Sequence, residues 1–275
     1  MLNRNNIRSL VKNGVVIFNL NGPNSAGKGK KGRILEILLK QAYPHIGVAR
    51  IVMSDLIKQH RANQTTLGQQ FLASQFLEER GELVPDEPVF AALDEELSLQ
   101  FNLGNRLLLL DGFPRNCNQA KPFLGADWFM VFHINVSLET SLARAKQRWD
   151  DAVSIGKAPR EDDKPEVVTY RYRQIYEGRT LKAIKMIRNT RTPSVINVPG
   201  DQPVRNQIAR MVKEMPMFVR VHDRTRVLAP LDNPAHEATK IMVEMEKPRS
   251  QSVGIHHQRE HSSNRGLTAA KGAYA

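Results

Sequence analysis

Val15-Val16-Ile17-Phe18-Asn19-Leu20, followed after Asn21 by Gly22-Pro23-Asn24-Ser25-Ala26-Gly27-Lys28-Gly29, decides the fold class of this 275-residue chain. The first six residues are mostly apolar, rich in β-branched side chains and stopped by Gly-Pro, so they read as a buried strand. The segment after Gly27 has a helical pattern over residues 28–39. A phosphate chain needs closely approaching N–H donors, a helix N-terminus aimed at the anion and one mobile ammonium. The two glycines, the following helix and Lys28 supply these. Position 29 is Gly rather than Ser or Thr, so no hydroxyl stands there to ligate a metal directly.

Outward from this unit the pattern repeats. Short buried runs at 49–53, 106–110, 129–136 and 194–198 read as further strands. Helix-like segments at 55–60, 71–80, 87–101, 138–149, 164–187 and 204–212 lie between or after them. Strand-then-helix repetition predicts an α/β fold, a parallel sheet flanked by helices on both faces. In such sheets ligands bind beyond the carboxyl ends of the strands. Leu107-Leu108-Leu109-Leu110-Asp111 is an apolar strand ending in a carboxylate, which puts Asp111 at that edge, able to organise Mg²⁺ and its waters beside phosphates.

Lys and Arg outnumber Asp and Glu 40 to 28, a net charge of +12, which suggests phosphate-bearing partners without choosing among nucleotides, RNA and anionic lipid. No RNA-binding aromatic motif accompanies the charge, so nucleic acid is not expected as a partner. A single cysteine, Cys117, fits a reducing, cytoplasmic setting and excludes a disulfide-stapled fold. No apolar run approaches the ~18 residues of a membrane span, and no signal-like segment opens the chain.

The composition changes after about residue 214. One amphipathic helix is predicted there, with Ala238, Ile241, Met242 and Met245 at helical spacing. Residues from 248 onward read as disordered, and His256, His257 and His261 in that polar tail read as solvated. The extension, 214–275, could meet a partner that its sequence does not specify.

Beyond the phosphate loop, several motifs fall in one order: Ser54-Asp55-Leu56-Ile57-Lys58, Gly81-Glu82-Leu83-Val84-Pro85-Asp86-Glu87, Asp111-Gly112-Phe113-Pro114-Arg115 with Gln119, Arg144 and Arg148, Arg160-Glu161-Asp162-Asp163 with Arg171, and Val198-Pro199-Gly200-Asp201. Over residues 14–213 the chain thereby resembles the adenylate kinases of the nucleoside monophosphate kinase family. The resemblance implies a P-loop kinase core (1–213) carrying a helical monophosphate-binding insert at about 53–84 and a lid at about 150–159. It also implies a monomer that moves the terminal phosphoryl group of ATP to AMP with Mg²⁺, giving two ADP. The acceptor phosphate, with its second pKa near 6, is already mostly ionised at neutral pH, so no general base is needed. The protein's task is then positioning and charge neutralisation.

By the same resemblance, Ser25, Ala26, Gly27, Lys28, Gly29 and Lys30 would hold the ATP phosphates, Arg144 would stack near its base, Arg148 would meet its phosphates and Gln202 would line the ATP site. Lys28, Arg115, Arg160 and Arg171, with Asp111 acting on Mg²⁺ through water, would form the catalytic set. Met53, Lys58, Glu82, Leu83, Val84, Gly112, Phe113, Pro114, Arg115, Gln119, Arg160 and Arg171 would bind AMP. Gln119 would read the acceptor base, since a carboxamide offers both a donor and an acceptor.

Four positions depart from the family pattern: Ser25 for Gly, Lys30 for Thr, Met53 for Thr or Ser, and Lys58 for an Arg that grips the monophosphate. Lys58 keeps the charge and loses the bidentate fork. The expected lid contains neither Cys nor His, so structural zinc is not expected. Two other readings stay open from sequence: a uridylate or cytidylate kinase, and a catalytically weak nucleotide-binding module whose tail recruits a partner.

Overall fold

The computed structural model describes residues 2–190, 194–215, 218–221, 224–227 and 233–246. The tail from 248 and its three histidines lie outside the described residues. Helix α1 (Arg4–Lys12) leads into β1 (Val16–Asn21), α2 (Lys28–Ala42) and β2 (Gly47–Val52). Three short helices, α3 (Met53–Ala62), α4 (Thr66–Ala73) and α5 (Gln75–Glu79), form an insert before α6 (Asp86–Asn102) and β3 (Asn105–Asp111). Then come α7 (Cys117–Ala120), β4 (Phe129–Asn135), α8 (Leu138–Ser154) and α9 (Pro165–Tyr170). A π-helix over Arg171–Thr180 joins α9 to α10 (Leu181–Arg188). The last described elements are β5 (Ser194–Pro199), α11 (Val204–Glu214), a hairpin of β6 (Phe218–Val221) and β7 (Arg224–Val227), and α12 (Pro234–Glu246).

The five-stranded sheet has the order β2-β3-β1-β4-β5 and is parallel throughout. Its central strand, β1, is buried at every position because helices cover both faces. Alternate residues serve opposite cores: Ile17 packs with Leu108, Leu110 and Val131, while Val16, Phe18 and Leu20 pack with Leu107, Leu109 and Phe132. The register sets Leu20 beside Asp111 and Asp111 beside Val52, so the phosphate loop, Asp111 and the start of the insert leave the sheet at one edge.

Several boundaries differ from the sequence reading. Met53, read as the end of a strand, opens α3. Helix α1 is not expected from the sequence, because its few apolar residues, Ile7, Leu10 and Val11, stand among basic and polar ones; Asn3 caps it, accepting from the N–H of Asn5 at 2.8 Å and of Asn6 at 3.1 Å. The single helix expected at 71–80 breaks at Ser74, whose hydroxyl bonds back to the carbonyls of Gln70 and Phe71 at 3.1 and 3.2 Å. Residues 150–154, the first half of the segment expected to form a lid, are helical and continue α8. Lys146–Asp150 and Gln147–Asp151 pairs at 2.7 Å hold that last turn, and Gly156 at φ +67° ends it. What leaves the helical frame is the shorter segment 155–160.

The predicted stripe of the last helix is on the fold. Ala238 and Ile241 of α12 are buried with Leu35, Leu38, Ile208 and Met211 of α2 and α11, and Met242 and Met245 pack against the same core. Among the described residues no helix is long and apolar enough to cross a membrane.

Candidate active site

The loop between β1 and α2 is held from below before any side chain reaches toward a ligand. Asn21 accepts from Gly22 N–H at 2.7 Å and donates through Nδ2 to the Pro114 carbonyl at 2.8 Å, tying the loop to the segment after β3. Asn19, one turn of the pleat earlier, donates to the carbonyls of Leu110 and Phe113. Gly22 sits at φ +150°, and a Cβ there would collide with the Ile134 carbonyl. Gly27, at φ +78°, caps α2, whose N-terminal amides face the loop.

Lys28 folds back over this loop, donating to the carbonyls of Gly22 at 3.0 Å and Pro23 at 2.7 Å. Burial, reinforced by Arg115, lowers its pKa to about 7 against the opposing pull of Asp111. Ser25 has φ +62°, a left-handed conformation that glycine adopts more readily, and its hydroxyl accepts from Arg148 Nη2 at 2.9 Å. Ala26 is fully buried, and Gly29 faces open space.

Asp111, at the end of β3, is buried and lies 3.8 Å from Arg50 Nη1. Burial raises its pKa, while Lys28, Arg50 and Arg115 oppose that rise. The segment after it turns at Gly112 (φ +86°) and anchors Phe113 in an aromatic cluster with Phe90 and Phe123. Arg115 then bends back, its Nε donating to the Gly112 carbonyl at 2.9 Å, and its own carbonyl accepts from Thr180 at 3.0 Å. Burial and the nearby Arg171 both disfavour its charge.

Lys28, Arg115 and Arg171 line one cleft with Gly22, Asn24, Gly112, Pro114, Tyr176 and Thr180. The π-helix contributes much of that wall. Tyr172 donates to the Val136 carbonyl at 3.0 Å, and Tyr176 lies 2.8 Å from His133 Nε2 and 3.2 Å from Asn135 Oδ1. The wide turn thus ties the helix back to β4.

Arg160 does not line the cleft directly: its side chain is 63% exposed. It is joined to the set through Asp162, which accepts from Arg160 at 3.0 and 2.8 Å and from Arg171 at 3.1 Å. Burial works against a charged Asp162, yet the hydrogen bond from Arg160 and the charges of Arg160, Arg171 and Arg148 outweigh it and hold the carboxyl below its usual range. Arg171 also reaches the insert, donating to the carbonyls of Gly81 at 3.3 Å and Glu78 at 3.2 Å. Arg148 pairs with buried Asp163 as well as Ser25, and Arg144 donates to the Gly200 carbonyl at 2.7 Å.

On the other side, Gln119 is buried with its carboxamide fixed: Oε1 accepts from Arg115 N–H at 2.7 Å and Nε2 donates to Asp86 at 2.8 Å. Met53 is buried at the start of α3, near Gly112, and Lys58 is exposed on the same helix. Glu82 and Leu83 are half-buried and Val84 is buried, in the stretch between α5 and α6. Gln202 is exposed, and its carbonyl accepts from Gln207 at 2.6 Å.

Mg²⁺ keeps several waters and is bound through one or two carboxylates plus substrate phosphates. A single buried carboxylate, Asp111, beside a phosphate-type loop fits that demand, and no group of three His, Cys, Asp or Glu suited to a metal occurs among the described residues. Three features were not singled out from sequence: Arg50 beside Asp111, Asp162 as the acceptor shared by two arginines, and Lys31 buried under the loop. The first depends on a partner distant in the chain, and the second on how the segment from Arg160 to Arg171 winds. The third carried a weak signal, a charged residue on the apolar side of α2.

No protein-family model matches the chain. Among curated proteins, it is 32% identical over 193 residues to the adenylate kinase of Thermosynechococcus vestitus, covering 66% of this chain and 88% of that one. It is 34% identical over 175 residues to the adenylate kinase of Deinococcus radiodurans, covering 62% and 81%. A mitochondrial GTP:AMP phosphotransferase of Drosophila melanogaster is 31% identical over 167 residues, covering 53% and 72%.

Proposed function

The chain belongs to the adenylate kinase family, and from that premise we propose that it catalyses reversible, Mg²⁺-dependent transfer of the terminal phosphoryl group of ATP to AMP, giving two ADP. The observation that carries this reading is the convergence of Lys28, Arg115 and Arg171 on one cleft at the carboxyl edge of the sheet. Three cations there, two of them disfavoured by burial, are a poor arrangement for a protein alone and a good one for a site that takes up polyphosphate.

In this reading the loop amides and Lys28 cradle the donor phosphates, and Arg148 is positioned against Ser25 at the loop's flank. Arg115 and Arg171 hold the transferring and acceptor phosphates, each with a planar fork suited to phosphate oxygens. Arg160 joins them when the 155–160 segment closes, carried by its pairing with Asp162. Asp111 would hold Mg²⁺ through water; when bound, the ion neutralises charge developing on the phosphate oxygens. The insert formed by α3, α4 and α5, with Gln119 behind it, takes the acceptor, and Arg144 and Gln202 flank the donor side. The same reading has the protein monomeric and cytoplasmic.

A coupled assay with AMP, UMP, CMP and GMP as acceptors, and ATP and GTP as donors, tests it. AMP should give by far the fastest turnover. UMP or CMP outperforming AMP would overturn the base assignment, and nucleotide binding without turnover would favour the binding-module reading.

A further inference from the structure

We propose that Lys31 is a positioning residue of the phosphate loop: a second ammonium, set behind the loop, that ties the Ala26 carbonyl to the first turn of α2 and adds positive charge to the triphosphate site. The inference rests on the reading that this loop binds ATP.

Lys31 is among the largest fully buried side chains of the protein, with 2% of its surface exposed. Its Nζ donates to the Ala26 carbonyl at 2.6 Å, and its backbone N–H reaches the Gly27 carbonyl at 3.1 Å. A Cβ built on Gly27 would stand 2.7 Å from that Nζ, so the ammonium lies directly against the loop glycine. The residue therefore grips the loop on both sides of Gly27.

The charge has no obvious structural reward. Burial, then Arg144 from α8 and Lys30 from its own helix, lower its pKa to about 8, and both of those neighbours are cations. Arg144 is itself directed to the Gly200 carbonyl at 2.7 Å. An apolar side chain of similar length would fill the same space without a buried charge. A polyphosphate seated on the loop amides is the counter-charge that makes an ammonium at this place favourable.

The test uses the full chain and the variants Lys31→Met, Lys31→Gln and Lys31→Arg, each checked for folding by thermal melting. At pH 7, Lys31→Met should raise KM for ATP at least about tenfold, since one unit charge acting through a few ångströms of protein is worth that much or more, and leave KM for AMP unchanged. Lys31→Gln keeps an N–H for Ala26 but not the charge, so it should also raise KM for ATP. Lys31→Arg should stay near the parent. Because the parent ammonium is lost as pH rises through about 8, the gap between parent and Lys31→Met should shrink at pH 9.

Calorimetry of ATP binding at pH 8, in two buffers of different ionisation heat, should show more proton uptake by the parent than by Lys31→Met. Folded Met and Gln variants with unchanged KM for ATP would overturn the inference, as would a pH-independent gap, the mark of a purely structural role. Should Lys31→Met not fold, the Gln variant alone decides. A parent chain that binds no ATP would overturn the proposed function first, an outcome separable from all of these.

Discussion

Gln119 donates its side-chain N–H to Asp86 at 2.8 Å, and that bond fixes which end of the carboxamide faces which way. Asn116 donates to the same Asp86 oxygen at 2.9 Å, and Arg115 N–H occupies one lone pair of Gln119 Oε1 at 2.7 Å. A carboxamide offers two donors and two lone pairs, so one of each remains after these bonds. An amide with a fixed orientation and a spare donor and acceptor is suited to an adenine edge. Asp86→Ala should therefore raise KM for AMP about tenfold, the value of one directed hydrogen bond, and leave KM for ATP unchanged. Equal changes in both constants would show that Asp86 serves only the fold.

Lys28→Ala should lower kcat/KM by at least about 10²-fold, since a cation aimed at developing charge is lost. Its melting temperature should not fall, because the parent ammonium is buried beside Arg115, Lys31 and Arg148. The pH profile carries a sign. Lys28 must be protonated to hold an anion and loses its proton as pH rises through about 7 in the free protein, so kcat/KM for ATP should fall above that pH. Bound phosphate favours the ammonium, so kcat should hold to higher pH.

Ser25→Gly removes a side chain from a left-handed backbone position, a strain of about 1–2 kcal/mol. Glycine gives back about 0.4–1 kcal/mol through the freedom of the unfolded chain. The melting temperature should be equal or slightly higher, with Arg148 still held by Asp163. A clear drop would show that the Ser25–Arg148 bond outweighs the strain.

Asp162→Asn tests the acceptor shared by Arg160 and Arg171. The folded carboxyl titrates below its unfolded value, so its contribution is present above the unfolded pKa and disappears as pH falls through the folded one. At pH 7 the variant should be less stable by about 1 kcal/mol, a figure limited by the exposure of Arg160. Denaturant melts at falling pH should converge in the acid range. A gap that persists there would place the effect outside the carboxylate's charge.

The strands were legible because each is a short apolar run whose neighbours punctuate it. Val16 to Leu20 and Leu107 to Leu110 could hardly be solvated, and the phosphate loop announces its own local geometry. Asp111 at the sheet edge followed from the strand it ends. The relationships between segments were not legible. Asp162 is two residues from Arg160 in the chain, but its second partner, Arg171, reaches it only through the winding of α9 and the π-helix. Likewise the break at Ser74 depends on a hydroxyl choosing a backbone carbonyl, a competition that hydrophobic periodicity does not register. The burial of Lys31 is hard to read from sequence, because a charged residue in a first helical turn ordinarily faces water.

Helix α12 has a practical bearing on how the polypeptide is handled. Trimming the polypeptide after residue 213 would remove Ala238 and Ile241 and lay bare the apolar back of α2, the helix whose front end carries the phosphate loop. A shortened product would thus be stickier and less firmly braced behind its nucleotide site, so activity lost on truncation would speak of a missing buttress before it spoke of a missing partner.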